Sequence, residues 1–277
     1  MGKTYTNTEL SESEVKKYID FLRANKEPYT LALSNFTTTL ESEFLNVRFM
    51  KEEKSLTFFA RSKELKKQVD LYLSLNNVGQ VENVSYYDIK DCEDFISSKI
   101  CNIDLSSAYL NVLYNNKVID QILFDKLNLL SKPDRLGVVG MLASKKIKFF
   151  FDSDGNQYKE PESIENKQHR NIFFFCVLTT GIIMHEIKKM LGESYIFTWV
   201  DGIYFKKVSE KKLNEIKIFL EGINYPYKVE FLTNFELHKN GQNIEIDYLK
   251  ENKEKSFSIP LEKNNKFAEE IYNYINK

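Results

Sequence analysis

Along the first hundred residues the apolar positions switch between a helical and an alternating period. In "LSESEVKKYIDFLRANK", Val15, Tyr18, Ile19 and Leu22 fall on one helical stripe. Ser11 followed by Glu14 makes a capping box ahead of it. "YTLALSNF" and "KSLTFFAR" read as strands, and "SKELKKQVDLYLSL" as a second helix capped near Ser62. Residues 1–98 are thus expected to form a small α+β region.

Further on, "SKICNIDLSSAYLNVLYNN" is an apolar strand ending in Asp104, then a turn and a short helix. "SKPDRLGVVGMLASKK" reads as a helix with Pro133 in its first turn, where the missing N–H is harmless. "KIKFFFDSDGNQYK" predicts a hairpin around Asp-Gly. "RNIFFFCVLTTGIIMHEIKKMLG" is an apolar helix closed by Gly192. "SYIFTWVDGIYFKK" predicts a second hairpin, turning at or near Asp201-Gly202. "SEKKLNEIKIFLEGI" is an amphipathic helix, and "YKVEFLTNFELHKNGQNIEIDYL" gives strands turning at Asn240-Gly241. "NNKFAEEIYNYINK" reads as a final helix. This order predicts an α+β fold, an antiparallel sheet with helices on one face.

Composition narrows the function classes. The 277 residues are 42% hydrophobic and 29% charged, enough for a substantial core. The net charge of -1 removes the overall basic balance of many nucleic-acid binders. A nucleic-acid groove would have to come from the local runs "SKELKK", "ASKKIK" and "SEKKLNEIK", although such runs are more often ordinary solvated faces. Cys92, Cys101 and Cys176 show no CxxC pair and no histidine at ligand spacing, so neither zinc nor a disulfide framework is expected. No uninterrupted apolar run approaches the ~18 residues of a membrane span. The N-terminus lacks a signal-like apolar segment. These features predict a cytoplasmic protein with no membrane partner.

The chemistry centres on two aspartates. Asp104 ends an apolar strand and Asp201 sits at the tip of an apolar hairpin. Taken singly, Asp201 reads as a turn residue and Asp104 as a helix N-cap. Side by side on one sheet, they would repel unless divalent cations held both as anions. Glu230 in "YKVEFL" is a candidate third acid or a solvated strand residue, and His169 and Arg170, ahead of the long helix, read as solvated helix-start residues rather than phosphate contacts.

Three segments carry a resemblance to family B DNA polymerases, most closely the protein-primed bacteriophage enzymes. "DLSSAYL" from Asp104 resembles the first palm motif, Asp-x-x-Ser-x-Tyr. "KPDRLGVVGMLASKK" resembles the second, with Lys132 and Gly140 at the lysine and glycine positions. "WVDGIYF" resembles the third, with Asp201 as its second aspartate. The matching segments run from about Lys99 to Lys207 in the expected order.

The resemblance implies a compact, template-directed nucleotidyltransferase with an antiparallel palm. Asp104 and Asp201 would be the catalytic and metal-binding residues, holding two Mg²⁺, with Mn²⁺ as a substitute. Ser107, Tyr109, Lys132 and Gly140 would belong to the nucleotide site, with Tyr109 against the sugar and Lys132 on the triphosphate. Arg135, one helical turn from Lys132, would add a cation. The implied partners are a DNA primer–template and dNTPs, and beyond them a terminal or replication protein. Residues 99–250 would be the palm with minimal fingers, and 251–277 an extension ending in a helix.

The chain also departs from the family. Trp199 stands where the third motif has its first aspartate, and Gly202 where it has serine. Leu136, Gly137 and Val139 replace the asparagine, serine and tyrosine of the second motif. The corresponding alternative is a catalytically inactive, polymerase-derived protein that binds nucleic acid or a replication partner.

Overall fold

The structure, a computed structural model, describes residues 7–9, 12–34, 37–50, 56–81, 87–89 and 94–260. The fold is α+β, with seven helices and two sheets among the described residues. Both sheets are antiparallel except where β1 (Asn7–Glu9) runs parallel to β4 (Asn46–Met50). The chain forms two discontinuous units. One comprises 1–77 with 122–171, the other 78–121 with 172–277. These limits differ from the expected division at 98 and 250.

The first unit holds a six-stranded sheet ordered β1-β4-β3-β2-β7-β8. Its further strands are β2 (Tyr29–Leu33), β3 (Thr37–Glu41), β7 (Lys145–Phe151) and β8 (Gln157–Glu165). Helix α1 (Glu12–Ala24) lays its predicted stripe on one face, where Leu22, Tyr29, Leu40 and Val47 are buried together. The β3–β4 hairpin was not expected, although its Thr37-Thr38-Thr39 run suits a strand.

The strand expected over "KSLTFFAR" is instead the start of helix α2 (Leu56–Leu75) for its residues from Leu56 onward. The reason is a 3.6-residue period that runs through the supposed boundary. Phe58, Ser62, Leu65 and Val69 are all buried. Ser62 does not cap the helix; from inside it, the hydroxyl donates to the Phe58 carbonyl at 2.9 Å. Helix α4 (Gln121–Asn128) was also missed, whereas α5 (Lys132–Gly140) starts where expected. Ser131 Oγ accepts from the Asp134 N–H at 3.3 Å, and Pro133 lies in the first turn.

The second unit holds a seven-stranded sheet ordered β13-β12-β11-β6-β10-β9-β5. In chain order its strands are β5 (Tyr87–Ile89), β6 (Phe95–Leu105), β9 (Tyr195–Trp199), β10 (Gly202–Lys206), β11 (Tyr227–Asn240), β12 (Asn243–Lys250) and β13 (Lys253–Pro260). Helices α3 (Ala108–Asn115) and α7 (Glu210–Gly222) belong to it, together with most of α6 (Lys167–Leu191). Phe257 of β13 lies 5.6 Å from Trp199 and 6.3 Å from Phe197 of β9, although four strands separate β13 from β9 in the sheet. The sheet therefore curls over its own aromatic face, burying Phe197, Tyr204 and Phe235. On the opposite face Ile103, Leu105, Ile203 and Phe205 are also buried.

Gly192 follows α6 with φ 54°, as its C-cap role requires. Lys167–Ser194 is apolar and long enough to cross a membrane by length and composition, but 56% of its apolar window is buried, as in a core helix. β13 lies within the 251–277 extension, while the expected Ser11 cap, the final helix 264–277 and Cys92 fall outside the described residues.

Candidate metal and nucleotide site

Asp104 and Asp201 meet at one end of the second unit's sheet. β6 and β10 run antiparallel, with Asp104 opposite Gly202. The Leu105 N–H donates to the Asp201 carbonyl at 2.8 Å. Opposed Cα atoms lie ~5 Å apart and successive ones 3.8 Å, so the two aspartate Cα atoms sit roughly 6–7 Å apart. Both side chains are half-buried.

The turn is built differently from the Asp-Gly hairpin expected. Trp199 pairs with Gly202, so the two-residue loop is Val200-Asp201 and Gly202 is already in the strand. The left-handed residue is Val200, with φ 54°. A β-branched residue there is strained by about 1–3 kcal/mol, and such strain concentrates at functional sites. Nor is Asp104 the N-cap of α3. That position is Ser107, also left-handed at φ 53° and without a side-chain cap bond.

Asn111, which no sequence motif singled out, fixes the turn after Asp104. Its buried carboxamide donates to the carbonyls of Ser106 at 2.8 Å and Ser107 at 3.2 Å. The Ser106 N–H donates to the Pro226 carbonyl at 2.8 Å. The turn after Asp104 is thus tied to α3, to Pro226 and to the Val200-Asp201 turn. The only sequence signal was an asparagine set between the apolar residues Leu110 and Val112 of a short helix.

Alternation along β6 puts Asn102 on the face of Asp104, and register adds Tyr204 from β10 and Glu230 from β11. Lys250 pairs with Glu230 at 2.5 Å, and Asn102 Nδ2 makes a long 3.5 Å contact to the same carboxylate. Glu230 is therefore more than a solvated strand residue. The Lys250 ammonium is pushed up, first by its bond to Glu230. Burial first, then Tyr248 and the charge of Asp104, push the Tyr204 hydroxyl far up, so it stays protonated. Burial likewise raises Tyr248, with smaller upward effects from Glu230 and Asp104.

Asn102 is buried, and its Oδ1 has no hydrogen-bond partner among the described residues. A Cβ on Gly202 would lie 3.4 Å from that oxygen. An orphan buried acceptor beside two aspartates suits a hard, oxygen-seeking cation. No group of three His, Cys, Asp or Glu side chains poised for a metal occurs among the described residues.

The other predicted residues are distributed as follows. Tyr109 is half-buried on α3, with its ring edge-on to Phe173 at 5.6 Å. Lys132, Arg135 and Gly140 are on α5, which belongs to the other unit. Lys132 is exposed, whereas Arg135 Nη1 donates to the carbonyls of Asn128 at 3.3 Å and Leu130 at 3.5 Å. Gly140 has open space around it, while a Cβ on Gly137 would meet Phe58 Cε2 at 2.9 Å. The glycine that packing requires in α5 is thus Gly137. His169 is buried, not solvated, and its Nε2 lies 2.6 Å from Asp70 Oδ1. No protein-family model matches the chain, and no curated protein matches it.

Proposed function

We propose that the protein is a template-directed nucleotidyltransferase that adds dNTPs to a 3′-hydroxyl, with Asp104 and Asp201 holding divalent cations. The observation that carries this reading is the register that sets Asp104 against Gly202 and bonds Leu105 to Asp201. The donor set fits Mg²⁺, which needs only one or two protein carboxylates when substrate phosphates and water complete its shell. Asn102 Oδ1 adds a third hard oxygen. When bound, the cations supply a lowered hydroxyl pKa and charge neutralisation at the reacting phosphate.

The chain's own contribution is positioning. The Asn111 and Pro226 bonds hold the turn after Asp104 rigid, so the carboxylate needs little reorganisation. The N-terminus of α3 offers backbone N–H groups to phosphate oxygens. Tyr109, steadied by Phe173, takes the sugar.

The test is primer extension and de novo synthesis with Mg²⁺ or Mn²⁺ on DNA and RNA templates. The wild-type protein is expected to incorporate nucleotide, and Asp201→Asn to lose about a thousandfold, since such cations supply several kcal/mol. Equal rates for the two proteins would end the assignment. Trp199, placed where the resembling family carries an acid, favours a second reading as an inactive, polymerase-derived nucleic-acid or replication-partner binder. Oligonucleotide binding without incorporation by the wild type would select it.

A further inference from the structure

Two of the lysine runs in the sequence converge in the first unit. Arg48 pairs with Thr39, Thr39 with Ala32, and Ala32 with Lys148, so Arg48 and Lys148 share one face of the six-stranded sheet. Lys146, two residues before Lys148, shares it too. Lys66 of α2 lies close enough that burial first, then the charges of Lys146 and Arg48, pull its ammonium pKa down. Burial and Arg48 pull Lys146 down in the same way. Arg48 Nε is buried without a hydrogen-bond partner among the described residues, and its guanidinium lies 5.7 Å from the centre of the Phe59 ring.

Three half-buried, mutually repelling cations oppose folding. The acids facing them are engaged elsewhere. Glu41 lies 3.8 Å from Lys148 and accepts from Asn46 at 3.0 Å, and Asp70 is bonded to His169. Neither Lys66 nor Lys146 forms an ion pair among the described residues. Next to the cluster, the Phe150 ring has Lys148 at 5.6 Å and Lys159 at 4.7 Å. It also touches Tyr158, which is 62% exposed. Cations interleaved with a half-buried phenylalanine and an exposed tyrosine suit a strand whose phosphates and unpaired bases are both accessible.

We propose that Arg48, Lys66 and Lys146 bind the phosphates of a single-stranded nucleic acid, whose path continues along Lys148, Phe150 and Tyr158. All six residues lie in one unit, and none belongs to the Asp104–Asp201 site. The inference therefore stands or falls independently of nucleotidyl transfer.

The experiment is fluorescence anisotropy of a short labelled oligo(dT) across a salt series, with thermal unfolding of the same proteins. The double variant Lys66→Gln/Lys146→Gln should weaken binding at least about tenfold. It should also flatten the log–log salt slope by about 1.4, at ~0.7 per phosphate contact on a single strand. Its Tm should hold or rise, because repulsion is removed. Tyr158→Ala should weaken binding about tenfold with the salt slope unchanged. Wild-type affinity in the double variant, or loss of affinity only together with a lower Tm, overturns the proposal. So does displacement of the oligonucleotide by an equal concentration of inorganic triphosphate, which would assign the cluster to a free nucleotide.

Discussion

Two glycines in α5 should respond to alanine in opposite directions. In a helix interior, glycine to alanine normally gains about 0.5–1 kcal/mol. At Gly140, the last residue of α5, the new methyl group enters open space and the backbone is right-handed, so the lower end of that gain should appear. At Gly137 the same methyl would sit 2.9 Å from Cε2 of Phe58, a ring with no solvent exposure. Relieving that contact means shifting a close-packed aromatic, at about 1–3 kcal/mol. Gly137→Ala should therefore be destabilised by roughly 1 kcal/mol net and Gly140→Ala stabilised by roughly 0.5 kcal/mol. Urea unfolding of the two variants reads this difference directly. Phe58→Leu should remove most of the Gly137→Ala penalty in a double-mutant cycle. Equal stabilisation of both single variants would refute the packing argument.

Other outcomes follow from particular groups. The bonds from Lys126 first, then Arg61, hold the Glu64 carboxyl below its usual value of 4.5. A depressed carboxyl stabilises above its unfolded pKa, and the effect fades as pH falls through the folded one. Glu64→Gln should thus lose up to about 1 kcal/mol at pH 7, given the partial exposure of the pair, and match the wild type in acid below that range. Burial raises the thiol pKa of Cys101 and, more strongly, Cys176. Mass spectrometry after iodoacetamide treatment should find both unmodified in the native protein and modified after unfolding. Gly202→Ser should fold normally, because its Cβ meets only ordinary contacts at 3.4–3.5 Å. A lowered Tm in that variant would show that Asn102 cannot give way.

Several element boundaries were legible because their signals are local. The polar turn after Asp104, Pro133 in the first turn of α5, and Gly192 after an apolar helix each fix a boundary within a few residues. The failures have a different origin. The helix beginning at Leu56 was hidden because Phe58 and Phe59 favour strands locally, while the deciding contacts involve Leu65 and Val69, further along. β7 joins β2 across more than a hundred residues, and no local pattern announces that pairing or the meeting of Lys146 with Lys66 and Arg48. His169 is the helix-start residue expected, but it looked solvated because its partner, Asp70, is equally remote. Within the site, the sequence pointed to both aspartates but not to Val200 as the left-handed residue, since Gly202 next door is the usual candidate. Asn102 and Glu230 are coupled to Asp104 only through strand register.

The central claim, that Asp104 and Asp201 share divalent cations, is tested most directly by Mn²⁺ titration followed by calorimetry or electron paramagnetic resonance. Saturable binding is predicted in the wild type, weakened at least about tenfold by either Asp104→Asn or Asp201→Asn. The double variant should lose little beyond the weaker single variant, because both residues serve one site. Mn²⁺ binding that survives both substitutions unchanged, or that is absent from the wild type even with a dNTP present, would contradict the account.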